Sequence, residues 1–191
     1  MRDQSEPTGR DAPLDLAALA LQWQVGSRRA GDELFSALDR ELRVIAAARL
    51  RNERNCSLST GDLVNEAVLK LSRLNTMELQ GRAHILALAS RLMRQVLIDA
   101  ARKRKTEKRG DTPVTLCTNI AQWEMPVDIV ALDLVLTELA ETDPERARIV
   151  EMRFFGGMSS ADIAHVLGIS EPTVKRRWAA TRAWLHNRLR Q

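Results

Sequence analysis

The chain has 191 residues, 29 Lys and Arg against 25 Asp and Glu, and a net charge of +4, with a pI near 9.6. That is enough chain for one large or two small domains, and the basic balance favours a polyanionic partner. Cys56 and Cys117 lie far apart and match no metal or redox spacing, so reduced thiols in a cytoplasmic protein are expected. No basic-then-apolar leader opens the chain and no uncharged apolar run reaches the length of a membrane span, which argues against membrane insertion.

Residues 1–26 read as an extension: a polar lead-in over Met1–Pro13, then LDLAALALQWQV at Leu14–Val25, a candidate short helix around Trp23. A helical domain is expected over residues 27–105. Its first helix, Ala30–Arg51, spaces Leu34, Phe35, Leu38, Leu42, Ile45 and Ala46 by threes and fours. After a polar break at Asn52–Leu58, Ser59 or Thr60 caps a second helix. It turns Leu63, Val64, Ala67, Val68 and Leu71 inward and leaves Asp62, Asn65, Glu66 and Lys70 outside. A loop at Asn75–Gly81 leads to a long third helix, about Arg82–Lys105, with Ile85, Leu88, Ala89, Leu92, Val96 and Ile98 or Leu97 as core positions.

The end of that helix is strongly basic. Between Arg91 and Arg109 stand eight basic residues and two acids, a local excess of +6. That density exceeds what capping the helix dipole needs and points to phosphate contact. Periodicity then fails over residues 106–127, which carry Gly110, Pro113 and Pro126 and read as a linker in which Trp123 and Met125 should dock on something. No stretch alternates with period two long enough to argue for a strand.

The second domain, residues 128–191, starts with a helix on Ile129, Leu132, Leu136 and Leu139. Thr142-Asp143-Pro144-Glu145 begins a second helix, which Gly156-Gly157 ends. The stretch MSSADIAHVLGISEPTVKRRWAATR, Met158–Arg182, then has the pattern of a helix-turn-helix. Ser159 opens its first helix three residues before Asp162, Gly168 takes the positive φ of the reversal, and Ile169 fills the gap between helices. Ser170 caps the second helix, Pro172 fits its first turn, and Val174 and Trp178 face inward. The outer face carries Thr173, Lys175, Arg176 and Arg177, with Arg182 further on, a short basic helix of the kind a major groove accepts. The expected fold is therefore all-α: two small helical domains joined by a flexible linker.

His84, His165 and His186 fall on different helices and pair with no second ligand, and no phosphate loop, nucleophile elbow or Cys–His pair is present. No metal, cofactor, small-molecule substrate or catalytic activity is expected.

At this point a resemblance becomes specific. DLVNEAVLKL at Asp62–Leu71 resembles the core-polymerase-binding stretch of the second conserved region of bacterial sigma factors. GRAHILALASRLMRQVLIDAARKRK resembles the promoter-melting helix that follows it, and Leu132–Leu189 resembles the fourth region. The order and short linker are those of the extracytoplasmic-function (ECF) type in the sigma-70 superfamily. The resemblance implies a sigma factor whose partners are core RNA polymerase and promoter DNA, with an anti-sigma protein as a further candidate. Asp62, Asn65 and Glu66 would meet the polymerase. Asn75, Arg82, Arg91, Arg94, Arg102, Lys103, Arg104 and Lys105 would serve the −10 element, and Ser170, Thr173, Lys175, Arg176, Arg177 and Arg182 the −35 element. Two departures from the family pattern stand out. Ile85 and Leu86 occupy positions where relatives often carry Phe or Trp, which implies modest melting power. Ala180 stands where many members have Arg, so Arg176 or Arg177 would carry more of the base reading. The competing reading is a polymerase-independent helix-turn-helix regulator, since response-regulator output domains share the LGIS and TVK pattern.

Overall fold

The computed structural model describes residues 14–50, 58–73, 81–108, 115–117 and 126–190. Helix α1 (Leu16–Gln24) starts where the Asp15 carboxylate accepts from the N–H groups of Ala17 and Ala18 at 3.0 and 3.1 Å. It lies against α2 (Arg28–Leu50): the Trp23 ring meets Phe35 edge-on at 5.1 Å. Gly31 permits this approach, because a Cβ there would come within 2.7 Å of Trp23 Cδ1. The candidate short helix is therefore packed on the body.

Helix α3 (Thr60–Ser72) begins in a reciprocal capping box. The Ser59 hydroxyl accepts from Asp62 N–H at 3.1 Å while the Asp62 carboxylate accepts from Ser59 N–H at 2.9 Å. Leu63, Val64, Ala67 and Leu71 are buried as the periodicity predicts, and Val68 is partly so. Helix α4 (Arg82–Lys108) runs three residues past its expected end.

Over the predicted linker the structure departs from the sequence reading. Strand β1 (Thr115–Cys117) pairs antiparallel with β2 (Pro126–Asp128), with Thr115 opposite Asp128 and Cys117 opposite Pro126. Three residues are too few for a period-two pattern to show in sequence, and Pro126 is tolerated at a strand's first position, where its missing N–H costs little. Residues 1–13, Asn52–Ser57 of the polar break, Asn75–Gln80 of the loop, Trp123 and Met125 fall outside the described residues.

The second half follows as α5 (Ile129–Thr142), α6 (Pro144–Phe154), α7 (Ser160–Leu167) and α8 (Glu171–Arg188). Asp128 caps α5, and Asp143 caps α6 ahead of Pro144. The chain is all-α in class, with the two short strands as its only sheet among the described residues.

Helix α4 organises the molecule. Ile85, Leu86, Leu88, Ala89, Ser90, Leu92, Met93, Val96, Leu97, Ile98 and Ala101 are all buried, so only a narrow stripe through Arg91, Gln95 and Asp99 stays exposed along its middle turns. One side borders α3, where Val96, Asp99 and Lys103 face a groove and Asp99 accepts from Lys70 at 3.3 Å. The other side packs on α5, α6 and α7, and the buried side chains of both halves form one continuous core. At Gly156 the turn after α6 sits so close to α4 that an added Cβ would lie 1.9 Å from Ser90 Oγ.

Candidate nucleic-acid interface

The helix-turn-helix is built as its residues dictate. Ser159 Oγ accepts from Asp162 N–H at 3.0 Å to start α7, and Gly168 ends it at φ +65°, in the left-handed region. Ile169 N–H then returns to Ala164 C=O at 3.1 Å, closing the turn as a left-handed C-cap does. Ser170 Oγ accepts from Thr173 N–H at 3.4 Å and lies 2.8 Å from the Thr173 hydroxyl, so both predicted contact residues also shape the start of α8. Val174 and Thr181 are buried and Trp178 is half-buried.

On the outer face, Lys175 and Arg176 are exposed, Lys175 leaning on Glu171 at 2.7 Å. Arg177 is turned back toward α6, where its guanidinium pairs with Glu145. Arg182 is half-buried and Ala180 exposed. Arg176 is thus the most open arginine of the predicted reading face.

The cations of α4 are placed quite differently. Arg94 donates to Asp133 Oδ1 at 2.7 and 3.1 Å and to Glu151 at 3.1 Å, which ties α4 to α5 and α6 at once. The Arg94 and Asp133 side chains are only 16% and 13% exposed, so solvent screens this pair little. Arg102 reaches the other oxygen of Asp133 at 3.1 Å. Arg82 pairs with Glu41 of α2 and with Asp162 of α7 at 3.3 Å, and the Glu41 bond raises its pKa further. Three of the predicted −10 cations therefore hold acids of the second half. Arg91 is exposed with no ion pair among the described residues, Lys103 is exposed beside the α3 groove, and Arg104 is half-buried. Lys105 is described only as part of the helix backbone. Ile85 and Leu86 are core residues, 0% and 2% exposed, with no face free to stack on a base.

Helix α3 presents Asp62, Asn65 and Glu66 exposed, along a cavity of about 530 Å³ whose walls include Leu58, Leu69 and Val96. Hydrogen bonds with Ser59 hold the Asp62 carboxyl below its usual range, so this acid is charged and serves the cap as well.

Two further contacts join the halves of the molecule. His84 of α4 and His165 of α7, on different helices as the sequence places them, meet edge-on at 5.6 Å. Burial first, then His165 and Arg148, push the His84 pKa down. Arg49, at the end of α2, is 5% exposed, lies 5.7 Å over the Phe154 ring, and keeps Nε without a hydrogen-bond partner among the described residues. Burial pulls its guanidinium down to about 10, which leaves it charged at neutral pH. Neither was visible in sequence, because each pairs positions about 80 to 105 residues apart.

No group of three His, Cys, Asp or Glu among the described residues is placed to hold a metal ion, and no helix among them is long and apolar enough to cross a membrane.

A capped helix-turn-helix with Lys175 and Arg176 exposed on its second helix has the form of a DNA-binding domain. The profile of the ECF sigma factor family matches residues 14–191, and the chain belongs to that family. It is accordingly a sigma factor that directs RNA polymerase to promoters, with core polymerase and promoter DNA as its partners. No curated protein matches the sequence.

Proposed function

We propose that core polymerase docks on the exposed α3 face, that α4 with its basic end serves the −10 element, and that α8 reads the −35 element. The observation that carries this is the α3 surface. Asp62, Asn65 and Glu66 stand exposed beside an apolar-walled groove that a basic helix of a partner would fill. Arg176 and Lys175 supply the base-reading and phosphate contacts of α8, where a bidentate arginine–guanine pair is worth about 1–3 kcal/mol of discrimination.

In the free chain the acids Asp133, Glu151 and Asp162 occupy the cations that DNA phosphates would take. Promoter binding thus exchanges carboxylate partners for phosphates as the two halves part. Polymerase holds the parted halves at the spacing of the two promoter elements, so neither grip needs high affinity alone.

Run-off transcription with purified core polymerase tests the reading. The chain should support initiation at a cognate promoter, and Glu66→Lys should weaken core binding while leaving helix content intact. Asp62 is a poorer probe, since its loss also removes the α3 cap. Promoter binding and regulation without any affinity for core would transfer the protein to the polymerase-independent regulators.

A further inference from the structure

Between α4 and α6 lies a cleft of about 560 Å³, lined on the α4 side by Arg91 and Arg94 of the proposed −10 surface and on the other by residues with no assigned promoter or polymerase contact. Arg91 projects on it from α4 and Arg148 from α6; both are exposed, and neither has an ion pair among the described residues. Two guanidinium groups from different halves of the molecule thus face one cavity whose single lining carboxylate, Glu151, is paired with Arg94 rather than with either of them. The neighbouring Arg94 is already matched by Asp133 and Glu151. His84 borders the same cleft, and its Nδ1 is buried with no hydrogen-bond partner among the described residues. Leu88, Met152 and Val166 supply an apolar wall.

We propose that this cleft binds a small phosphorylated anion of about nucleoside-diphosphate size, its phosphates between Arg91 and Arg148 and its ring against the apolar wall. The chemistry follows from the residue types. Arginine presents a planar fork that matches two phosphate oxygens at once, and such charge-assisted bonds are about twice as strong as neutral ones. A few convergent polar groups over a largely apolar wall are the usual make-up of small-ligand sites, and the volume falls in their range. A nucleic-acid duplex is too broad to enter.

Because its two arginines come from opposite halves, the ligand bridges them. Its binding therefore favours the packed form, in which the α4 cations are withheld from DNA. Ligand and promoter compete through linkage, each weakening the other by the same factor.

The test is calorimetric titration of the full chain with sodium pyrophosphate and with ADP at near-physiological salt, repeated with Arg148→Gln. Arg40→Gln, an exposed cation on α2 away from the cleft, is the control. Saturable one-site binding that falls about tenfold or more in Arg148→Gln and holds in Arg40→Gln supports the site. No saturation at millimolar ligand, or equal effects of the two variants, overturns it. Tighter binding of ADP than of pyrophosphate supports the nucleoside assignment, and equal binding removes it. Arg148 has no assigned role in promoter or polymerase contact, so the result stands whether or not the promoter reading does.

Discussion

Replacing Asp133 with alanine should release the two halves of the chain from each other. Asp133 is the shared acceptor of Arg94 and Arg102, and its pair with Arg94 is only 13–16% exposed. A hydrogen bond to a charged group contributes about 1.5–3 kcal/mol, and Arg94 gives two to this carboxylate. Glu151 continues to hold Arg94 at 3.1 Å, so the loss stops short of stranding a bare buried charge and comes to about 3 kcal/mol. Arg102 is 57% exposed and adds less than about 1 kcal/mol. A loss of about 3 kcal/mol shifts the packed-to-parted ratio roughly 100-fold. Spin labels at Ser72 on the end of α3 and Ala179 on α8, both exposed, should report it. With the native cysteines replaced by serine, pulsed dipolar distances should change from one narrow population to a broad, longer one. An unchanged distribution in a variant with normal helix content would refute the claim that this carboxylate holds the halves together.

Further outcomes follow from the same interface. Arg49→Met should stabilise the chain by about 1–2 kcal/mol in urea unfolding, since it replaces a 5% exposed cation lacking any carboxylate partner among the described residues with an apolar side chain of similar length. Gly156→Ala should destabilise by about 1–3 kcal/mol in the same assay, because its Cβ meets both Ser90 Oγ and, at 2.7 Å, Met152 C=O. Acid should weaken the packed form. His84 faces His165 of α7 and Arg148 of α6, with Arg91 and Arg94 on its own helix and Glu151 opposite, and its pKa is lowered there. The packed form therefore binds fewer protons than the parted one. Its stability is fully present above the ordinary histidine pKa near 6.5 and declines as pH falls through and below that value. The spin-label distances read at pH 7.5 and 5.5 should show the longer population growing in acid, and His84→Gln should flatten that dependence.

Much of the fold is written in local chemistry. Ser159 and Ser170 each cap the helix that the sequence assigns to them, Ser59 rather than Thr60 caps α3, Asp143 is the cap within Thr142–Glu145, and Gly168 takes the left-handed turn, because capping and positive φ are settled within four residues. What the sequence conceals is which cations are spoken for. Arg94 and Arg102 read as phosphate contacts because their partner Asp133 lies 31–39 residues away on another helix. Likewise Arg177 looks like a reading residue until Glu145 is brought beneath it by the fold of α6 on α8. The near-continuous apolar pattern of α4 carries too little periodicity to announce that two separate surfaces close over it. Between Thr115 and Asp128 the three-residue strands were illegible for the opposite reason, having almost no pattern at all.

The double coverage of α4 also bears on how long an unemployed molecule lasts. When the halves part, Leu88 and the turn around Ser90 lose the neighbours that keep them dry. A parted chain without a partner is therefore sticky and open to proteases, whereas a packed one is neither. On the proposed reading, in which this interface withholds the basic helix from DNA, it is then also a shelf-life, and variants that loosen it should be cleared faster wherever polymerase is scarce. Activity gained by opening and abundance lost by opening pull against each other in the same few residues.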